Sequence, residues 1–222
     1  MRRRRNPAMK LRQTITLMSL GCVPAVSMAD FSANVGMVSD YIYRGSFQSA
    51  SSASAGLDYE DDNGFYIGVW GADVSNGIET DFYFGYGSEI GDFTWGIGYT
   101  GYYYTESSFD DTYTEVNLSL GYGMFSLDVA LGDYDALDPA DPDSYTFVSL
   151  TFELPNGPYF TYGDFGDEFT GDYFEVGYGF DWQGLDLSIA WITSDDLGVS
   201  QDNPLADQSL VFGISKSFAF GD

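Results

Sequence analysis

Thirty-four acidic residues, no histidine and one cysteine decide what chemistry this 222-residue chain can do. Without histidine the usual general base and the commonest transition-metal ligand are missing, and serine–histidine hydrolysis is excluded. Whatever the chain does with polar chemistry falls to its carboxylates, which come in two arrangements. Asp40, Asp58, Asp81, Glu115, Asp128, Glu175 and Asp186 occur singly, inside segments that alternate large apolar residues with small ones. Asp133, Asp135, Asp138, Asp141 and Asp143 instead crowd one stretch that also carries Pro139 and Pro142. Their spacing is that of calcium ligands, but the glycine and closing glutamate of an EF-hand loop are missing. No metal site and no cofactor are assigned from the sequence.

The charge balance is more lopsided than the totals suggest. Six of the eight basic residues lie in the first twelve positions, which leaves Arg44 and Lys216 against all 34 acids. Such a surface repels nucleic acid, and a nucleic-acid partner is excluded. Acidic loops facing water would account for part of the excess; a conduit that prefers cations would account for it as well.

Residues 1–29 read as a signal peptide. Arg2 to Arg5, Lys10 and Arg12 form the positive region, Ile15 to Val26 the apolar stretch, and Ser27-Met28-Ala29 the small-residue cleavage site. Met9 followed by Lys10, Leu11 and Arg12 is a complete signal start by itself, so Met1 and Met9 both stand as start codons. Cys22 follows Leu20-Gly21 much as in a lipoprotein site, but Ser19 replaces the usual leucine and the apolar run continues past it. Cleavage after Ala29 removes that cysteine, so no disulfide is expected. The remaining domain is expected to span 30–222.

After residue 29 no stretch reaches the apolar length of a transmembrane helix, and the periodicity is two. Twelve strands are predicted: about 31–44, 53–60, 65–73, 79–88, 93–104, 113–122, 125–132, 145–154, 158–165, 173–180, 185–193 and 208–220. The connections between them are expected to alternate long and short, with 45–52 the first long loop. The short ones carry turn chemistry, as in Asp61-Asp62-Asn63-Gly64, where Asn-Gly supplies the left-handed backbone that a hairpin needs. Leu185, Leu187, Ile189 and Trp191 share one face, against Asp186, Ser188 and Ala190. A soluble sandwich would also alternate, but its second face would carry Lys, Thr and Gln toward water. Here the second face is glycine, serine, alanine and isolated acids, which suits a confined interior. The fold class is therefore all-β, a transmembrane antiparallel up-and-down barrel of about twelve strands, with both chain ends on one side.

This parity turns Asp40, Arg44, Asp58, Asp81, Glu115, Asp128, Glu175 and Asp186 inward, as candidate pore-lining residues. Burying so many carboxylates in a dry core would cost several kcal/mol each, so a water-filled lumen with a ring of acids and a preference for cations is expected. A plugged barrel whose acids serve only folding is the alternative. Arg44 is expected to pair with a neighbouring strand near the outer rim. Tyr41, Tyr43, Tyr102, Tyr103 and Tyr104 are expected as membrane-interface anchors. The last strand ends on Phe218 and Phe220, aromatics of the kind the barrel-assembly machinery reads. Lys216 falls on the lipid-facing side, where its stem can snorkel.

Val38-Ser39-Asp40-Tyr41-Ile42-Tyr43-Arg44-Gly45, followed by Gly56-Leu57-Asp58-Tyr59, Gly64-Phe65-Tyr66, Glu79-Thr80-Asp81 and the ending Ile214-Ser215-Lys216-Ser217-Phe218, resembles the TorF-like porin family of proteobacteria, formerly a conserved hypothetical family. Gly45-Ser46-Phe47-Gln48-Ser49 is similar to its G-x-S-Q-S segment with one residue changed. The resemblance implies an outer-membrane barrel of porin activity with no assigned substrate. The functional expectation is thus a non-enzymatic porin-like channel in the cell outer membrane, passing small cationic or neutral solutes. Its expected partners are outer-membrane lipids, the barrel-assembly machinery and those small solutes or cations. The alternative is a non-conducting barrel with a structural or surface-binding role through its acidic loops.

Overall fold

The computed structural model describes residues 30–106, 112–134, 143–155, 157–197 and 207–220. The expected signal segment 1–29, Asp135, Asp138 and Asp141 of the acidic stretch, and Asn156 lie outside these residues. Among them are twelve strands: β1 (Asp30–Tyr43), β2 (Ser46–Glu60), β3 (Phe65–Asp73), β4 (Ile78–Ile90), β5 (Phe93–Tyr104), β6 (Tyr113–Tyr122), β7 (Phe125–Tyr134), β8 (Asp143–Glu153), β9 (Tyr159–Asp167), β10 (Gly171–Trp182), β11 (Leu185–Asp195) and β12 (Gln208–Phe220). Each pairs antiparallel with its sequence neighbours, and β1 closes the ring on β12, with Phe31 opposite Phe220. Closure leaves no sheet edge, the condition a β-structure must meet to cross lipid.

The period-two pattern explains the two surfaces. Leu57, Ile67, Phe84, Ile97, Leu150 and Phe212 all point outward, and the exposed large hydrophobic side chains are 37–71% accessible. In water this band would aggregate; around a closed barrel it is the surface that meets lipid chains. Lys216 shares that outer face, opposite Val35, with its Nζ 5.5 Å from the centre of the Phe218 ring. The tight-turn end is built as the sequence indicates. Asp61 accepts bonds from the N–H groups of Asn63 (2.8 Å) and Phe65 (3.1 Å), and Gly64 takes φ +94°.

The first hairpin departs from expectation. Residues 46–52, predicted as loop, belong to β2, and only Arg44 and Gly45 separate it from β1. Their φ angles of 49° and 81° make the primed two-residue turn that suits twisted hairpins. Serine- and alanine-rich composition read as a loop because it lacks large apolar alternation. These residues are extended because their partners in β1 pair with them, not because their own pattern demands it.

Candidate functional site

Beyond its base, this hairpin leaves the wall. β12 pairs with β1 only over Phe31–Val38, and β3 pairs with β2 only over Ser54–Glu60. Residues 39–53 therefore pair only within the hairpin, apart from side-chain ties at its root. Ser39 Oγ accepts the N–H of Phe212 at 3.0 Å, and Ser52 Oγ donates to the carbonyl of Asp73 at 2.7 Å. A kink in the register between Tyr41 and Ile42 turns the strand pair inward. A wall strand would bury every second residue, yet Tyr41 (3% exposed) and Ile42 (8%) are both buried. The hairpin is covered on both faces because it lies inside the barrel.

One face carries Tyr41 against Ala72 and Val74, with Tyr43, Trp70 and Tyr104 beside them. On the other, Ile42 packs with Phe147, Tyr173, Ile192 and Val211, and Leu197 from the β11–β12 connection joins this cluster. At the tip, a Cβ on Gly45 would collide with Tyr173 and Leu197, so the turn reaches β10. Gly45 meets both demands of its position, a positive φ and a close approach.

Arg44 fixes the tip to the opposite wall. Its Nη1 and Nη2 donate to Glu115 of β6 at 2.5 and 2.9 Å. The guanidinium lies 4.3 Å from the Phe147 ring centre and 4.7 Å from that of Tyr43, a stacked position that suits Arg and not Lys. Glu115 also accepts from Tyr145 (2.7 Å), Asn117 (2.8 Å) and Tyr102 (3.0 Å). Since Tyr102 gives its proton to Glu115, Tyr43 is the donor in the 2.8 Å contact between the Tyr43 and Tyr102 hydroxyls. Arg44 thus pairs across the lumen rather than with a neighbouring strand near the rim, as its sequence position suggested. The reason is the inward fold, which carries the turn past its neighbours.

Three acids, Asp58, Glu115 and Glu175, sit in a repeated device. In register, Asp58 of β2 stands beside Gly68 of β3, which stands beside Tyr83 of β4. The Tyr83 ring lies over the bare glycine and its hydroxyl donates to Asp58. Glu115 of β6, Gly132 of β7 and Tyr145 of β8 repeat the row. Tyr159 lies over Gly177 and donates to Glu175. Inner-face glycines are therefore seats for tyrosine rings, and the rings bring hydroxyls to buried carboxylates.

Among the sequence-selected residues, Asp58, Asp81, Glu115, Asp128 and Glu175 stand on the inner face. Asp128 borders a cavity of about 30 Å³ beneath Arg44, with Asn117, Ser119 and Ser149, room for one or two waters. Asp186 pairs with Ser215 near the tight-turn end and is half-buried. Asp40 is not drawn into the cluster: it pairs with exposed Ala50, on the face of the hairpin opposite Tyr41. The tyrosines correct another expectation. Tyr41 and Tyr102 are buried inside and Tyr43 bonds there, while Tyr103, 46% exposed, faces outward. Adjacent residues on a strand point to opposite faces, so Tyr102, Tyr103 and Tyr104 could not all have been interface anchors. Sequence reasoning missed Glu79, which is 3% exposed and accepts from Tyr41 at 2.6 Å. Its strand-mate Asp81, two residues on, was the available indication.

A closed twelve-stranded transmembrane barrel with a polar interior is the architecture of porins, and solved structures bear out the fold. The KdgM porin superposes with a TM-score of 0.56 at 9% identity, over 86% of this chain and 99% of that one. The same porin in complex with disordered oligogalacturonate gives 0.53 at 8% identity, over 86% and 99%. A membrane protein solved in work on the mechanism of in-meso crystallization gives 0.60 at 11% identity, over 86% and 84%. No curated protein matches the sequence. Residues 23–218 match the model of a bacterial protein family of unknown function, Gcw_chp, and the chain belongs to that family.

Proposed function

We propose that this chain is an outer-membrane channel of the porin type for small cationic or neutral solutes, with the β1–β2 hairpin as its constriction. The observation that carries the proposal is the charge of the interior. Glu79, Asp81, Glu115 and Glu175 are buried there, and Arg44, already engaged by Glu115, is the one basic residue beside them among the described residues. Carboxylates in a confined, low-dielectric space favour cations and exclude anions. The oligogalacturonate held by the KdgM porin is an acidic sugar, and an interior of this sign is a poor match for such a ligand.

Asp58, Asp81, Glu115, Asp128, Glu175 and Asp186 are the proposed lining, and Arg44 the proposed latch. Membership of the TorF-like porins, export through residues 1–29, and insertion by the assembly machinery through Phe218 and Phe220 belong to the same reading. No catalytic role is proposed for any residue. The non-conducting alternative draws support from the packing at the hairpin, where Tyr41, Tyr102, Glu115, Tyr145, Phe147 and Tyr173 are each at most 6% exposed.

Recording single channels of the folded protein under a salt gradient separates the two. A reversal potential of cation-selective sign, reduced when Asp58, Asp128 and Glu175 are replaced together by their amides, supports the channel. Anion selectivity, or silence from both wild type and Arg44→Ala, contradicts it.

A further inference from the structure

Where the hairpin meets β4, the interior holds three buried carboxylates, of which Glu115 alone is paired with Arg44. Glu79, Asp81 and Glu115 are 3%, 1% and 1% exposed. Glu115 has Arg44 and the hydroxyls of Tyr102 and Tyr145. Glu79 accepts from Tyr41 at 2.6 Å and also from Tyr104. Asp81 faces both of these carboxylates, yet its Oδ1 is fully buried with no hydrogen-bond partner among the described residues. Leaving a buried carboxylate oxygen without donor or counter-charge costs several kcal/mol. The nearby donors are committed elsewhere: Tyr41 and Tyr104 to Glu79, Tyr43 to Tyr102, and Tyr102 to Glu115. The missing partner of Asp81 therefore comes from outside the described residues.

We propose that Asp81 and Glu79 bind a hard divalent metal cation of the Ca²⁺ class, with the phenolic oxygens of Tyr41 and Tyr104 as neutral ligands. The donors are all oxygen, which selects hard cations over transition metals. Two carboxylates with no basic group left for them among the described residues match a double positive charge. Their positions, two apart on β4, put both side chains on one face with Cα atoms roughly 7 Å apart, so their carboxylates can converge on one ion. Tyr41 belongs to the hairpin, so the ion also ties the hairpin to β4 of the wall. The site stands whether or not the barrel conducts.

The test is thermal unfolding of the folded protein in detergent, at neutral pH and constant ionic strength, with Ca²⁺ titrated. The expected result is a rise in Tm that saturates in wild type, as binding to the native state alone requires. The saturable rise should be lost in Asp81→Asn and weakened in Glu79→Gln. Asparagine keeps the shape of the side chain and removes the uncompensated charge; should Asp81→Asn not fold, Glu79→Gln carries the comparison. Terbium luminescence sensitised through Trp70, whose ring lies 6.0 Å from that of Tyr41, gives a second reading and should be displaced by Ca²⁺. An equal rise in wild type and both variants would assign the effect to surface acids and overturn the proposal. So would a wild type that ignores Ca²⁺ and is stabilised only by acid, which would put a proton on Asp81.

Discussion

The barrel wall and the hairpin inside it are made of the same kinds of residue and obey different rules. In the wall, register runs unbroken between neighbouring strands, apolar side chains meet lipid, and tyrosines cross glycines to reach acids. The hairpin end at residues 39–53 has given up both neighbouring strands and is held by side chains: one ion pair, a few hydroxyls and two apolar clusters. Backbone pairing is distributed and hard to undo locally, whereas the hairpin depends on a small number of contacts. The hold on this element is therefore the sum of those side-chain contacts rather than of a backbone ladder to the wall.

The comparison is broken most severely by Arg44→Ala. It leaves Glu115 buried without its counter-charge, a loss on the order of 3–5 kcal/mol, and frees the hairpin tip while the wall stays folded. Reduced resistance to denaturant, together with new protease cleavage confined to residues 39–53, is the expected outcome. Adding Glu115→Gln to that variant should restore part of the loss, because the stranded charge is gone. A double variant no better than the single would mean that the ion pair is not the coupling.

The wall is tested next. Gly132→Ala places a methyl group against the Tyr145 ring and is expected to cost about 1–3 kcal/mol, as overpacking does. Gly166→Ala, where a Cβ meets nothing within 4 Å, should stay within about 0.5 kcal/mol of wild type. Equal costs at the two sites would remove glycine's role as a seat for tyrosine.

The smallest effect belongs to the turns. The N–H groups of Asn63 and then Phe65 hold the Asp61 carboxyl below the usual carboxylate range, at a tight turn on the surface. A group with a lowered pKa contributes stability above its unfolded value, near pH 4, and loses it as pH falls through the folded value. Asp61→Ala should therefore be slightly less stable than wild type at neutral pH, and the two should converge in acid unfolding curves.

Much of the wall was legible in the sequence. The strands Phe65–Asp73, Phe93–Tyr104, Tyr113–Tyr122 and Gln208–Phe220 fall where alternation put them, because each is half in lipid and half in a polar interior, and that contrast writes a period of two. The inward acids Asp58, Asp81, Glu115, Asp128 and Glu175 were legible for the same reason. The hairpin was not. Alternation reports which face a side chain is on, but not whether the strand stays in the wall, and the inward turn is fixed by partners such as Glu115 and Tyr173, 71 and 128 positions from Arg44 and Gly45. Nor could the acids be seen as hydrogen-bonded rather than hydrated. For Asp58 and Glu115 that depends on a glycine having the acid on one neighbouring strand and a tyrosine on the other, a relation that exists only once register is known.

The measurement closest to the central claim is single-channel conductance of wild type beside Arg44→Ala in the same planar bilayer. A hairpin latched across the lumen predicts small, intermittent cation-selective steps from wild type. It predicts larger and longer-lived steps of the same selectivity from the variant. Identical conductance from the two proteins, both folded, would contradict it.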